Sequence, residues 1–204
     1  MSGQGERMSE GDSDDGGRRG AVIRLARALV ETLVGTLVIF VLLQTFVGRT
    51  YAVEQTSMEP TLEPAQRLIV DKLTPRFDPY KPGDIIVFEA PAGTDQEEPL
   101  IKRVIAVGES VVEIVDGQVV VDGRAIDEPY TFGGEPTLPM TDQTRWVVPE
   151  GSLFVLGDHR VVSVDSRTFG PIPISTVVGR AWLRFLPLED AALLTSSGTT
   201  GTSP

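Results

Sequence analysis

The sequence predicts a mainly β protein, in which a single N-terminal transmembrane helix leads into a β-rich domain of barrel or sandwich type. Three observations carry this. Residues 28–47, ALVETLVGTLVIFVLLQTFV, form one apolar run, and twenty helical residues rise about 30 Å, the thickness of a hydrocarbon core. Beyond residue 49, short runs rich in Val, Ile, Leu and Phe recur with turn residues between them, the pattern of successive strands. No long amphipathic helical pattern interrupts those runs, and about 140 residues of this kind suffice to enclose a β core.

In chain order, residues 1–26 read as a disordered cytoplasmic tail. Its first twenty or so positions are rich in Gly, Ser, Asp and Glu and nearly free of apolar residues, too few to offset the entropy of ordering. Residues 27–48 read as the transmembrane helix, with Glu31 in its first turn near the interface and no charge from Thr32 to Val47. A buried helix of a soluble protein and a cleaved signal peptide are the alternatives. The latter has a shorter apolar region followed by a small-residue cleavage site, whereas this run continues into strand-like TFVGRTYAVEQ. Arg18, Arg19, Arg24 and Arg27 precede the run and Arg49 stands nearly alone after it. Positive charge collects on the cytoplasmic side, so the expected topology is single-pass in the cell membrane, N-terminus inside and domain outside.

Residues 49–188 form the expected extracytoplasmic domain, with strands in RLIVDKL, DIIVFEA, LIKRVIAVG, SVVEIV, QVVV, RWVV, SLFVLG and TVVGRAWLRFL. Asp116-Gly117 in EIVDGQVVV suits a two-residue type I′ hairpin. Residues 124–143 are polar, with three prolines and a Gly-Gly pair, and read as an insertion. Residues 189–204 read as a flexible tail. Trp182 reads as a core aromatic. Phe132 and Phe169 are either core or part of an apolar patch beside the cleft.

The net charge of -11 and pI near 4.6 argue against nucleic acid as a partner, since phosphates would be repelled. With no cysteine there is no thiol nucleophile, disulfide or thiolate metal site, and the single histidine, His159, rules out a multi-histidine zinc site. No metal or cofactor is expected.

Three stretches carry possible chemistry. In TSMEPTL, Ser57 is either an ordinary loop serine or a nucleophile. In LIKRVIAVG, alternation along a strand puts Lys102 on the face of Leu100 and Val104 and Arg103 on the other. Such a lysine is either an edge-strand charge that discourages aggregation or a desolvated amine whose lowered pKa makes it a base. A serine hydroxyl needs a base to take its proton, so the two residues gain meaning as a pair. In GDHRVVSVDSRTFG, alternating acids and bases suggest ion pairs that brace a loop, with Ser163 and Ser166 as hydroxyls near an amine.

Together these stretches resemble bacterial type I signal peptidases, membrane-anchored serine proteases that remove signal peptides. Ser57-Met58-Glu59-Pro60-Thr61 resembles the family's nucleophile box, and Lys102-Arg103-Val104 with Gly108 its base box. Gly157 to Arg167 resembles Gly-Asp-Asn-Arg-x-x-Ser-x-Asp-Ser-Arg, and GDIIVF and VDGRAIDEPY also look like family segments. The likeness runs from about Arg27 to Leu188. It implies Ser57 as nucleophile, Lys102 as general base, and Ser163 hydrogen-bonded to the Lys102 amine. It further implies that Asp158, Arg160, Asp165, Arg167 and Arg103 brace the site. Cleavage would follow small residues in an Ala-x-Ala pattern, in pockets lined by Val53, Met58, Leu62, Leu100 and Ile101, with the substrate added as an extended strand. The expected partners are secretory preproteins, the lipid bilayer and, by proximity, the secretion translocon.

The sequence departs from the family pattern at His159, which stands for the asparagine, and at the unusually apolar pair Val161-Val162. Gln55 stands where many members carry a hydroxyl that helps the oxyanion hole. A Ser-His-Asp hydrolase built on His159, a self-cleaving Ser-Lys repressor and a catalytically silent binding scaffold are the competing readings. The second needs a DNA-binding domain for which the N-terminus has no room, and the third should lack Ser or Lys at the paired positions.

Overall fold

The computed structural model describes residues 14–46, 49–94, 96, 98–196 and 198–200, with side chains at 22–40, 50–94, 96 and 98–196. Two compact units are formed, Met1–Thr45 and Phe46–Pro204. The first holds helix α1, Asp14–Phe46. Its apolar side chains between Val22 and Phe40 are all more than half exposed. Among the described residues no helix is long and apolar enough to cross a membrane, and the side chains of residues 41–48 in the expected span lie outside the described set. The expected disordered tail needs correction over residues 14–26, which are helical. Extending a helix from an existing nucleus adds one hydrogen bond per residue fixed, so the strong helix former downstream carries the polar stretch with it. Residues 1–13 lie outside the described set.

The second unit is β-rich, as expected. Its strands are β1 (Arg49–Ala52), β2 (Arg67–Asp71), β3 (Ile85–Phe88), β4 (Leu100–Val107), β5 (Val111–Val115), β6 (Gln118–Val121), β7 (Arg124–Ala125), β8 (Arg145–Val147), β9 (Ser152–Leu156), β10 (Ile172–Pro173), β11 (Val177–Leu186), β12 (Ala192–Thr195) and β13 (Gly198–Thr200). A one-turn helix α2, Ser166–Phe169, lies between β9 and β10. The larger sheet runs β1-β2-β11-β3-β4-β9-β10, with β12 on β11 and β13 on β12, and the smaller runs β7-β6-β5-β8. All pairings are antiparallel.

Alternation decides which residues meet. Ile85 and Val87 of β3 join Ile101 of β4 in one core cluster with Val53, Met58 and Leu62. Ile86 and Phe88 join Leu100 and Val104 in a second, with Leu153 and Val155 of β9. Strand β3, IIVF, is thus buried on both faces, which is why it reads as a continuous apolar run. A third cluster, built on Trp146 and Phe154, fills the side covered by the smaller sheet.

The Asp116-Gly117 turn has φ of +49° and +80°, the left-handed pair of a type I′ hairpin, as the sequence predicts. Asp122-Gly123 repeats the device between β6 and β7 with φ of +50° and +77°. Two further expectations need correction. The expected C-terminal tail contributes β12 and β13, because Ala192 and Leu194 alternate inward and are buried. Trp182 is 50% exposed rather than core, since β11 turns that face outward beside Leu73 and Ile69.

Candidate active site

Ser57 lies on the connection from β1 to β2. Val53 N–H donates to Gln66 O at 2.8 Å and Ala65 N–H to Val53 O at 2.8 Å, closing the connection into a loop. Within it Leu62 N–H donates to Met58 O at 2.9 Å, a helical turn whose side chains Met58 and Leu62 are buried. That burial fixes Ser57, itself only 6% exposed. The His159 N–H donates to Ser57 O at 3.1 Å, tying the loop to the segment after β9. Gly157 makes the close approach possible, because a Cβ there would lie 2.5 Å from Ser57 O and collide with Ser163.

Lys102 reaches this serine from β4. It pairs with Ile86 in the ladder, between Leu100 and Val104 on the same face, and is 1% exposed. Its Nζ donates to Ser57 Oγ at 2.7 Å and to Ile101 O at 3.1 Å. Burial pushes the amine down from 10.5 to about 8, against the pull of Asp165 and Asp158, with the Arg167 charge adding to the fall. The reason is elementary: an ammonium loses its hydration in the interior and a neutral amine loses far less.

Around the pair stands a buried set of ion pairs. Arg103 grips Asp158 with two bonds, of 2.8 and 2.6 Å, and donates to Gly83 O at 3.0 Å. Thr61 Oγ1 donates to the same carboxylate at 2.5 Å. Arg167 holds Asp165 at 2.8 and 2.9 Å and donates to Arg160 O at 2.7 Å. Asp165 also accepts from Gly157 N–H at 3.1 Å and caps α2. Arg160 donates to Gly157 O at 2.9 Å, to Glu128 at 2.5 Å and to Thr137. Each charge is paired and each guanidinium is also bonded to backbone, the condition under which buried charge is tolerated.

The structure therefore brings Ser57, Lys102, Arg103, Asp158, Arg160, Asp165 and Arg167 together in one region. Ser163 needs correction. It is fully buried, yet its Oγ has no hydrogen-bond partner, and the expected bond to Lys102 is not formed. The carbonyl of Ile101 takes that place on the amine. Gln55 is half-buried and donates across the cleft to Gln96 Oε1 at 3.3 Å. Val53, Met58 and Ile101 line a cavity of about 640 Å³ that opens at Ser57. Leu100 lines a smaller one of about 290 Å³ that contains Lys102. Leu62 lines neither and packs in the core behind Met58.

The stretch at 124–143 proves integral rather than appended. Glu128 binds Arg160, Leu138 O accepts from Arg167 at 3.1 Å, and the Tyr130 ring lies 3.9 Å beneath the Arg103 guanidinium. Sequence reading missed these partners, although they sit in or just after VDGRAIDEPY, a segment already singled out. His159 stacks on Phe132 at 4.2 Å, with Nδ1 3.4 Å from Glu59 and Nε2 3.7 Å from Glu135. Phe169 packs edge-on against Phe88 at 6.3 Å.

A serine oxygen thus lies against a buried amine whose pKa is lowered towards 8. Comparison narrows the class. The model of the family "Signal peptidase, peptidase S26" matches residues 26–186, and the chain belongs to that family. It is 39% identical over 163 residues to a probable signal peptidase I-1 of Synechocystis sp., covering 78% of this chain and 81% of that one. It is 38% identical over 162 residues to a signal peptidase I of Bacillus caldolyticus, covering 74% and 86%. A crystal structure of a signal peptidase I from Enterococcus faecalis aligns with a TM-score of 0.41 at 31% identity, over 50% of this chain and 95% of that one.

Proposed function

We propose that this chain is a membrane-anchored signal peptidase I, an endopeptidase that removes N-terminal signal peptides from secretory preproteins after an Ala-x-Ala-like site. The observation that carries the reading is the 2.7 Å contact of Lys102 Nζ with Ser57 Oγ in a buried setting. Membership of the family and the names of the relatives support the substrate class.

The steps follow from the groups present. Neutral Lys102 takes the Ser57 proton as Oγ attacks the scissile carbonyl carbon. The Ser57 backbone N–H stabilises the developing oxyanion, with the side chains of Gln55 and Thr56 close by. The ammonium then gives its proton to the departing amine, leaving an ester on Ser57 that a water, deprotonated by the regenerated amine, hydrolyses. With the pKa near 8 about a tenth of the amine is neutral at pH 7, against roughly three in ten thousand for an exposed lysine. Substrate lies extended along the larger cavity, where Val53, Met58 and Ile101 offer apolar walls to small side chains.

Residues 27–48 anchor the domain to the bilayer, N-terminus inside, on the strength of the apolar run and the arginines before it. Tethering beside the membrane and the translocon raises the effective concentration of preprotein. The test is incubation of the protein with a secretory preprotein and mass analysis of the products. Wild type yields one cut after the small-residue motif, and Ser57→Ala and Lys102→Ala yield none. No cut by wild type would favour a silent scaffold.

A further inference from the structure

Two cavities meet at Ser57, and only the smaller contains Lys102. The base that takes the serine proton must return it to the departing nitrogen, so the leaving chain has to lie on the lysine's side. Glu54, Gln55, Thr56 and Gln96 give that cavity a polar side, and the remaining wall is unexpectedly apolar. Val162 and Val164, 49% and 40% exposed, line that cavity with Leu100, at positions flanking the fully buried Ser163. Neither belongs to the core clusters, and an exposed apolar wall beside a reacting pair has a use when a side chain covers it. Resting on the peptidase reading, we propose that Val162 and Val164 form a leaving-side subsite. It selects an apolar residue immediately after the scissile bond, the first residue of the mature chain.

Val161 supplies the control. It lies on the same loop and is 64% exposed, but does not line the cavity. The experiment uses the full chain in detergent and two peptides sharing one signal-peptide cleavage motif, with Leu or Ser after the cut. Wild type is expected to favour Leu in kcat/KM by about tenfold, the scale at which apolar pockets discriminate. Val162→Ser and Val164→Ser should each bring the Leu-to-Ser ratio of kcat/KM close to one, and Val161→Ser, outside the cavity, should keep both the ratio and the rate of wild type. Acyl transfer reads the subsite separately from the first step. When leucinamide competes with water for the ester, its nitrogen bonds to the acyl carbon, the bond to Ser57 Oγ breaks, and the amine proton passes through Lys102 to that oxygen. Transfer to leucinamide should exceed transfer to serinamide in wild type and fall to parity in Val162→Ser. Equal cleavage of the two peptides by wild type, or an equal loss in Val161→Ser, overturns the subsite and leaves the peptidase reading standing. Failure of wild type to cut either peptide overturns the peptidase reading and the subsite with it.

Discussion

Replacing Lys102 by Met should stabilise the fold while ending catalysis. The side chain is 1% exposed, and its amine falls from 10.5 to about 8 on folding. Below pH 8 the group is charged in both the folded and the unfolded chain, and the folded state carries the full cost of burying the charge. That cost is about 3 kcal/mol at 1.36 kcal/mol per tenfold. As pH rises from 8 to 10.5 the folded amine is already neutral while the unfolded one still loses its proton, so the cost shrinks and is under about 1 kcal/mol at pH 10. Methionine matches the apolar stem of the lysine, without its terminal amine, and removes the titration. It forfeits the bonds to Ser57 and Ile101, a loss of about 1 kcal/mol that does not vary with pH. Denaturant unfolding in detergent, read by the fluorescence of buried Trp146, gives the difference directly. The variant should lead by about 2 kcal/mol at pH 7, and the lead should fall by roughly 2.5 kcal/mol by pH 10. A difference independent of pH would refute the reasoning, because a lysine that is not desolvated on folding produces none.

Other consequences are smaller in scope. Asp158→Asn strands a buried guanidinium and should lower stability by about 3–5 kcal/mol in the same unfolding assay. Gly157→Ala should cut kcat more than tenfold with KM little changed, because its Cβ displaces the Ser57 carbonyl and Ser163. His159→Asn should keep most cleavage activity, since the imidazole contacts Phe132, Glu59 and Glu135 and its residue meets Ser57 only through the backbone. Near-complete loss in a folded His159→Asn protein would favour a histidine base. Lys102→Arg should be inactive, because guanidinium does not give up its proton.

The β class and the β5–β6 hairpin were legible because each rests on a local signal, strand alternation and an Asp-Gly turn, whereas the Ser57–Lys102 pair was legible only through the resemblance of its two boxes, since a loop serine and a strand lysine each allow an ordinary reading. What escaped depended on distant partners. Glu128, Tyr130 and Thr137 look like surface residues until Arg160 and Arg103 are brought beside them. Ser163 looks like the natural partner of Lys102, but only the fold reveals that Ile101 O is nearer at hand. The tail at 189–204 reads as loose because its composition is polar overall, yet two alternating apolar residues, Ala192 and Leu194, find a strand edge to pair with. Sequence pattern records a residue's own preferences, and edge pairing and buried ion networks are set by what arrives across the fold.

The most direct test of the lysine base is the pH dependence of kcat/KM for preprotein cleavage between pH 6 and 10. A single deprotonation with a midpoint near 8 is expected, matching the buried amine, with the rate rising about tenfold per pH unit below that midpoint and levelling above it. A profile that is flat across this range, or the same profile retained by Lys102→Arg, contradicts the account.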